Sequence, residues 1–292
     1  MNAFTIKIIA ISAMAADHLA YCFPDIFPLE CRVIGRLALP LFVYMAAEGC
    51  RHTGSALKYL LRLGIFAVLS QIPFCLAFHQ PPSGQFYFSF VKTTNVFYTL
   101  FLGVLCACCL KTLRIIFCGA DKSKKASPFM ETVAGLEPVK KILAVLPKKV
   151  KAVLPYVLSL AVLAAAMRLA KFLETDYAAY GVAFVYAMYA IENKKWRLAV
   201  MAAFCVWQFK EGLFGGLYRF TGLSQLEAYL GYFNWWWFAF TLGCLAAVLA
   251  AALYNGRRGP RFKWAFYVFY PAHLLLFGLI LMGGAASAAV IF

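Results

Sequence analysis

The chain has 292 residues, 64% of them hydrophobic and 14% charged, with a mean hydropathy of +0.76. Soluble domains run about 45–50% apolar and about 25% charged, so the composition excludes a soluble globular protein and predicts an all-α, polytopic bundle of transmembrane helices. The formal net charge of +16 does not imply nucleic acid, because the basic residues fall in short loops between apolar runs, the positive-inside pattern with its attraction to anionic lipid heads.

A helix needs about 20 apolar residues to cross the hydrocarbon core. Nine segments are read as spans, within a range of 9–11: roughly 4–23, 33–50, 59–79, 94–117, 152–173, 177–191, 196–210, 233–254 and 264–290. The first contains one Lys and then an apolar run without a small-residue cleavage site, so it reads as a span and not as a cleaved signal. The sixth and seventh are short enough to be tilted or broken. The last is long enough to be two pieces, and a further element has room in 211–232.

The loops at 51–62, 111–151, 193–197 and 255–263 are strongly basic, and those at 24–32, 80–92, 174–176 and 211–232 are not. The two kinds alternate as nine spans require, which predicts a cytoplasmic N-terminus and a C-terminus on the far side. The chain reads as one membrane domain, 1–292, with one sizeable basic cytoplasmic loop at 119–151. A tandem near-repeat there, "KKILAVLP" at 140–147 and "KKVKAVLP" at 148–155, suits either a helix lying on the anionic inner leaflet or a plain solvated loop. Ten cysteines lie mostly within spans, and "CACC" (Cys106, Cys108, Cys109) has no matching second cluster. Reduced, buried thiols are expected, with neither a disulfide framework nor a metal site.

Ionisable groups inside a bilayer cost roughly 2.5–3.5 kcal/mol each at a helix centre and mark function by default. Asp17 and His18 lie in the outer half of the first span, and Arg36 enters the second span from that side. Asn95 and Thr99 open the fourth span. Asp176 and Tyr177, in "TDYAAYG", stand at the outer end of the fifth and sixth, where capping a helix start is an equal possibility. His273 follows a proline midway along the last span. Neighbours on a helix point about 100° apart, so Asp17 cannot clamp the ring of His18. Arg36 is its expected ion-pair partner, either as a plain tie between spans or as part of a site. At the other surface Glu48, Arg51, His52, Lys58 and Arg62 gather. Fixed cations there suit phosphates or simply flank spans on the positive side. The run "NWWWFAF" fits an interfacial aromatic belt.

The strings "KIIAISAMAADHLAYCF", "RVIGRLALPLFVYMAAEGCRHT", "KYLLRLGIFAVLSQIPFCLAF", "TNVFYTLFLG", "DYAAYGV" and "FYPAHLLLF", in this order, resemble the TraX family. Only 119–151 and 198–255 carry nothing of the resemblance. The family is named for an enzyme that N-acetylates the amino terminus of pilin subunits, and it is similar to multi-span acyltransferases that use acyl-CoA. The resemblance therefore implies an acyltransferase of the bacterial cytoplasmic membrane, most simply an acetyltransferase. Its donor substrate would be acetyl-CoA or another acyl-CoA, and its acceptor a peptide N-terminus, a glycan or a lipid. On this reading His18 is the general base, and Asp17 orients it or pairs with Arg36. His273, Asn95, Thr99, Asp176 and Tyr177 surround the thioester and acceptor, a covalent acyl-histidine staying open beside direct transfer. Glu48, Arg51, His52, Lys58 and Arg62 would meet the donor's phosphates, with the pantetheine arm rising between helices towards His18. A transporter or flippase, and a non-catalytic membrane assembly factor, are the alternatives.

Overall fold

A computed structural model describes residues 1–79, 89–118, 144–210, 235–260 and 262–289. Among them are eleven helices: α1 (Ala3–Cys22), α2 (Glu30–Gly35), α3 (Ala38–His52), α4 (Ala56–Leu69), α5 (Gln71–Phe78), α6 (Val96–Cys118), α7 (Lys148–Phe172), α8 (Ala178–Ala190), α9 (Lys194–Gln208), α10 (Trp235–Ala252) and α11 (Lys263–Ala289). Each of the nine apolar segments read from the sequence coincides with one of these helices or with a consecutive pair. Seven are long and apolar enough to cross a membrane, two of these being the composite stretches Glu30–His52 and Ala56–Phe78. The chain is a multi-pass helical membrane protein, as a bilayer demands: without water in the hydrocarbon, the backbone must bond to itself.

Among the described residues seven helices are of full spanning length, since α8 has 13 residues and α9 has 15. At 1.5 Å per residue a 13-residue helix reaches only about 20 Å. α8 can be this short because it is buried in protein, with Val182, Phe184, Val185 and Met188 fully enclosed, and a helix shielded by its neighbours need not span the hydrocarbon by itself. The last segment is one helix, α11, with Pro271 inside it, and not two pieces. A helix in 211–232 and most of the 119–151 loop lie outside the described residues. The second copy of the near-repeat forms the first turns of α7, after Pro147 at its N-cap position.

The chain divides into two compact units. One comprises Met1–Met45, Ile72–Tyr87 and Glu192–Phe292, the other Ala46–Gln71 and Phe88–Ile191. In the second unit α6 packs on α4, α7 and α8, and α7 on α8. Ser159 and Tyr186 join α7 to α8 through a 2.6 Å hydrogen bond between hydroxyls, the kind of polar tie that holds helices together where lipid is as apolar as leucine. Leu57, Leu61, Ile65, Val68 and Leu69 face outward, which is where a membrane protein places its apolar surface.

In the first unit α1 packs on α2 and α11, and α10 on α2 and α9. Asn2 caps α1 by accepting from Thr5 N at 2.9 Å, and Asn193 caps α9 by accepting from Lys195 N at 2.9 Å. Two glycines set the close approaches. A Cβ at Gly35 would overlap the Cβ of Asp17, and one at Gly243 would overlap the backbone oxygen of Val33 and stand 3.2 Å from the Cβ of Arg36. Backbone cannot rotate away, so Gly243→Ala is expected to destabilise the protein by about 1–3 kcal/mol through overpacking. The same change at Gly283, where a Cβ meets nothing within 4 Å, should leave stability unchanged or slightly raised. Melting temperatures of the two variants in one detergent check the contrast.

Candidate active site

Within the first unit, α1 brings His18 and α11 brings His273 together across 255 positions of sequence: His18 Nδ1 stands 2.7 Å from His273 Nε2. The ring centroids are 5.0 Å apart and the planes only 6° from parallel. The excess of the centroid separation over the N–N distance is what two ring radii occupy. The rings therefore meet edge to edge, with the hydrogen bond in the plane of both.

The direction of this bond follows from the next one. His273 Nδ1 is 2.7 Å from the carbonyl oxygen of Phe269, one turn back on α11. A carbonyl only accepts, so His273 Nδ1 carries a hydrogen. In the neutral ring Nε2 is then a lone pair, and it accepts from Nδ1–H of His18. The chain Phe269 C=O, His273, His18 thus leaves the lone pair of His18 on its far nitrogen, Nε2. His273 is 8% exposed, while His18 keeps part of its surface open. Phe78, Phe269, Tyr270 and Phe277 close around the two rings. His18 lies four residues before the end of α1, so about 6 Å, one turn, inside the helix end.

Asp17 points elsewhere, as the helical angle between neighbours predicts. Its Oδ1 accepts from Arg36 Nη2 in a short bond and from Arg32 Nε at 3.4 Å. The predicted Asp17–Arg36 pair is present, and Arg32 is an additional member that the sequence reading omitted. Arg36 stands at the break between α2 and α3, where its Nε donates to Arg32 O at 3.1 Å and its guanidinium lies 5.4 Å from the Phe240 ring centre. Gly35 makes room for the carboxylate. The i, i+4 spacing of Arg32 and Arg36, which puts both on one helix face, was the available signal.

Asn95, Thr99, Asp176 and Tyr177 belong to the second unit, in a knot of two loops. Asn95 Nδ2 donates to Ala67 O and to Gln71 Oε1, both at 2.8 Å, and its Oδ1 accepts from Phe97 N at 3.0 Å, capping α6. Gln71 in turn donates to Ser89 O and Thr93 O. The Thr99 hydroxyl donates to Asp176 O, and Thr175 Oγ1 lies 3.0 Å from it. Asp176 N donates to Thr94 O at 2.8 Å. Thr93, Glu174, Tyr177 and Ala178 all hold left-handed backbone, with φ of 51°, 46°, 65° and 39°, each costing about 1–3 kcal/mol. These bonds hold that strain in place. Both amide protons of Asn95 and the hydroxyl proton of Thr99 are committed to them, so a role beside a thioester would require giving them up. Tyr177 occupies the N-cap position of α8.

Arg51, expected to meet phosphate, is turned inward. Its Nη2 donates to the carbonyls of Met188, Tyr189 and Ile191 at 2.7–2.8 Å. It caps the C-terminus of α8, where unpaired carbonyls and the helix dipole attract a cation, and Glu48 Oε1 lies 3.3 Å from its Nε. Lys111 does the same for α3, donating to Cys50 O and Thr53 O at 3.0 Å. Arg62 lies over the Tyr59 ring. His52, 3.4 Å from Glu48, and Lys58 are exposed. Arg51→Ala should therefore act first on stability, by about 1–3 kcal/mol for the carbonyls it uncovers, seen as a lower melting temperature in detergent. Lys58→Ala should leave that temperature unmoved.

Comparison with known proteins agrees with this frame. The sequence profile described as TraX protein matches residues 3–120, a range holding Asp17, His18, Arg32 and Arg36, with His273 beyond it. Over 285 residues the chain is 30% identical to a probable fimbrial assembly protein FimC, serogroup H1, of Dichelobacter nodosus, with 94% of this chain and 93% of that one covered. No solved structure matches.

Proposed function

The chain belongs to the TraX family, and on that premise we propose that it is a membrane acyltransferase moving an acyl group, most simply acetyl, from acyl-CoA to an amine or hydroxyl at or across the bacterial cytoplasmic membrane. The observation that carries the reading is the in-plane 2.7 Å bond between His18 and His273. Acyl transfer needs a base that takes the nucleophile's proton as the new bond forms. His18 Nε2 is such a lone pair, held in one tautomer by a partner behind it, which is how a histidine base is made ready.

A neutral amine attacks the thioester carbonyl and the C–N bond forms. The amine proton passes to His18 Nε2, and the positive ring is steadied through Nδ1–H by His273, itself anchored on the Phe269 carbonyl. When the C–S bond breaks, the same proton returns to the leaving thiolate, giving free CoA and regenerating the base. The aromatic side chains packed on the pair lower the polarity around it, which strengthens each of these electrostatic contacts. The name of the relative, a fimbrial assembly protein, supports an acceptor handled in the assembly of surface fibres. A peptide N-terminus is therefore the first acceptor to test.

Donor affinity is assigned to the exposed His52 and Lys58, since Arg51 is engaged by carbonyls. Replacing both by Ala should raise the acyl-CoA KM more than it lowers kcat, because phosphates are held alike in ground and transition states. An unchanged KM would leave the two as membrane-flanking cations. The activity itself is tested with purified protein, labelled acetyl-CoA and a membrane extract, followed by mass spectrometry of what gains the label. Transfer that disappears in His18→Ala is expected. An absence of transfer above a protein-free control would sink the enzyme in favour of a non-catalytic assembly role.

A further inference from the structure

The charge around Asp17 does not balance. Two guanidiniums, Arg32 and Arg36, converge on one carboxylate. Arg36 is engaged by Asp17, the Arg32 carbonyl and the Phe240 ring. Arg32 is less so. Only its Nε reaches Asp17, at 3.4 Å, and its flat group rests 5.1 Å from the centre of the Tyr21 ring. Among the described residues, its two terminal nitrogens have no partner, and 31% of its side chain is open. The other acids of this stretch, Asp25 and Glu30, are exposed and form no ion pair among the described residues. Nothing in the segment therefore neutralises the second cation.

An uncompensated guanidinium is retained beside Asp17, the residue that precedes the proposed base. Both arginines are within Coulombic reach of the His18 ring. The contact with Asp17 uses the Nε–H of the Arg32 guanidinium, and its paired terminal N–H groups form a separate edge of the same planar group. That is the fork which takes an oxyanion by two parallel bonds.

We propose that Arg32 is the anion-binding residue of this site and holds a carboxylate or phosphate carried by the acceptor, so that the acceptors of this protein bear an acidic group beside the amine or hydroxyl that is acylated. The proposal rests on the acyltransferase reading, and it adds a substrate class to it. The bound anion would complete a neutral set of two arginines, Asp17 and ligand. It would also bring the acceptor's nucleophile to the side of the membrane on which His18 stands.

Binding tests this independently of turnover. Purified wild-type protein is titrated with dihexanoylphosphatidic acid and with dihexanoylglycerol, and separately with N-hexanoylglycine and its uncharged amide. At least tenfold tighter binding of the charged member is expected in one pair, and the pair that discriminates tells phosphate from carboxylate. Arg32→Gln should abolish the preference. Arg32→Lys, which keeps the charge and loses the fork, should weaken it at least threefold and serves if the Gln variant does not fold. Lys171→Gln, an exposed cation elsewhere, should keep it. Equal binding of charged and uncharged members in both pairs, or a preference that survives in both Arg32 variants, overturns the proposal. Failure of the acyltransferase reading would appear instead as absent acetyl transfer in wild-type protein, whatever these affinities are.

Discussion

His18→Ala is expected to lower kcat by on the order of 10²–10⁴, the usual worth of a positioned general base, while acyl-CoA binding survives. The companion His273→Leu should cost less. It leaves a histidine at position 18, but nothing then holds the lone pair on Nε2, and a fraction of rings presents N–H to the acceptor. Because His273 acts through His18, the double variant should be no worse than His18→Ala alone; groups that act as one unit do not add. Steady-state kinetics of the three variants decide the matter. Multiplied losses in the double variant would make His273 an independent participant, and normal turnover of His18→Ala would remove the base from the scheme. A covalent acyl-histidine at His18 would show as an acylated peptide trapped after mixing with donor alone.

What could be read before the structure divides along a physical line. Hydropathy located every described membrane helix, because a bilayer allows a chain so few ways to satisfy its backbone. The separation of Asp17 from His18 was also legible, since it is a property of one helix. Partners between helices were legible only where charge is scarce: in a segment this apolar, Asp17 had Arg36 to find. The His18–His273 bond was not, because nothing local distinguishes a histidine facing another histidine from one capped by its own backbone, and His273 has both contacts. Arg51 misled for a related reason. A cation that flanks a membrane and a cation that caps a helix C-terminus occupy the same place in a sequence, and only the three carbonyls around it tell them apart. Asn95 looked like a donor in a membrane and is a cap and loop tie, as Asn is where a helix begins. Gln71, which completes that tie, carried no warning beyond its polarity.

Asp17→Asn should lower stability by roughly 3–5 kcal/mol, the cost of leaving a buried charge without its partner. The substitution keeps the shape beside Gly35 and removes only the charge, so packing does not confuse the result. The cost should sit with Arg36, whose side chain is 13% exposed, more than with Arg32 at 31%, because a long half-exposed side chain can carry its charge out to the interface. Two double variants separate them. Asp17→Leu with Arg36→Met should recover most of the lost stability in a denaturation series in mixed micelles, and Asp17→Leu with Arg32→Met should recover little. The reverse ranking would place the burden on Arg32 and undo the assignment of Arg36 as the engaged cation. A wild-type transition in Asp17→Asn itself would make the ion pair immaterial to the fold. The first of the two double variants, once folding is recovered, then answers a second question. Asp17 touches arginines and His18 touches His273, so with the histidine bond intact, acyl transfer at saturating acceptor should persist, any loss appearing in the acceptor KM through Arg32. Inactivity in a fully folded sample would mean that Asp17 serves the chemistry as well as the packing of α1 on α2.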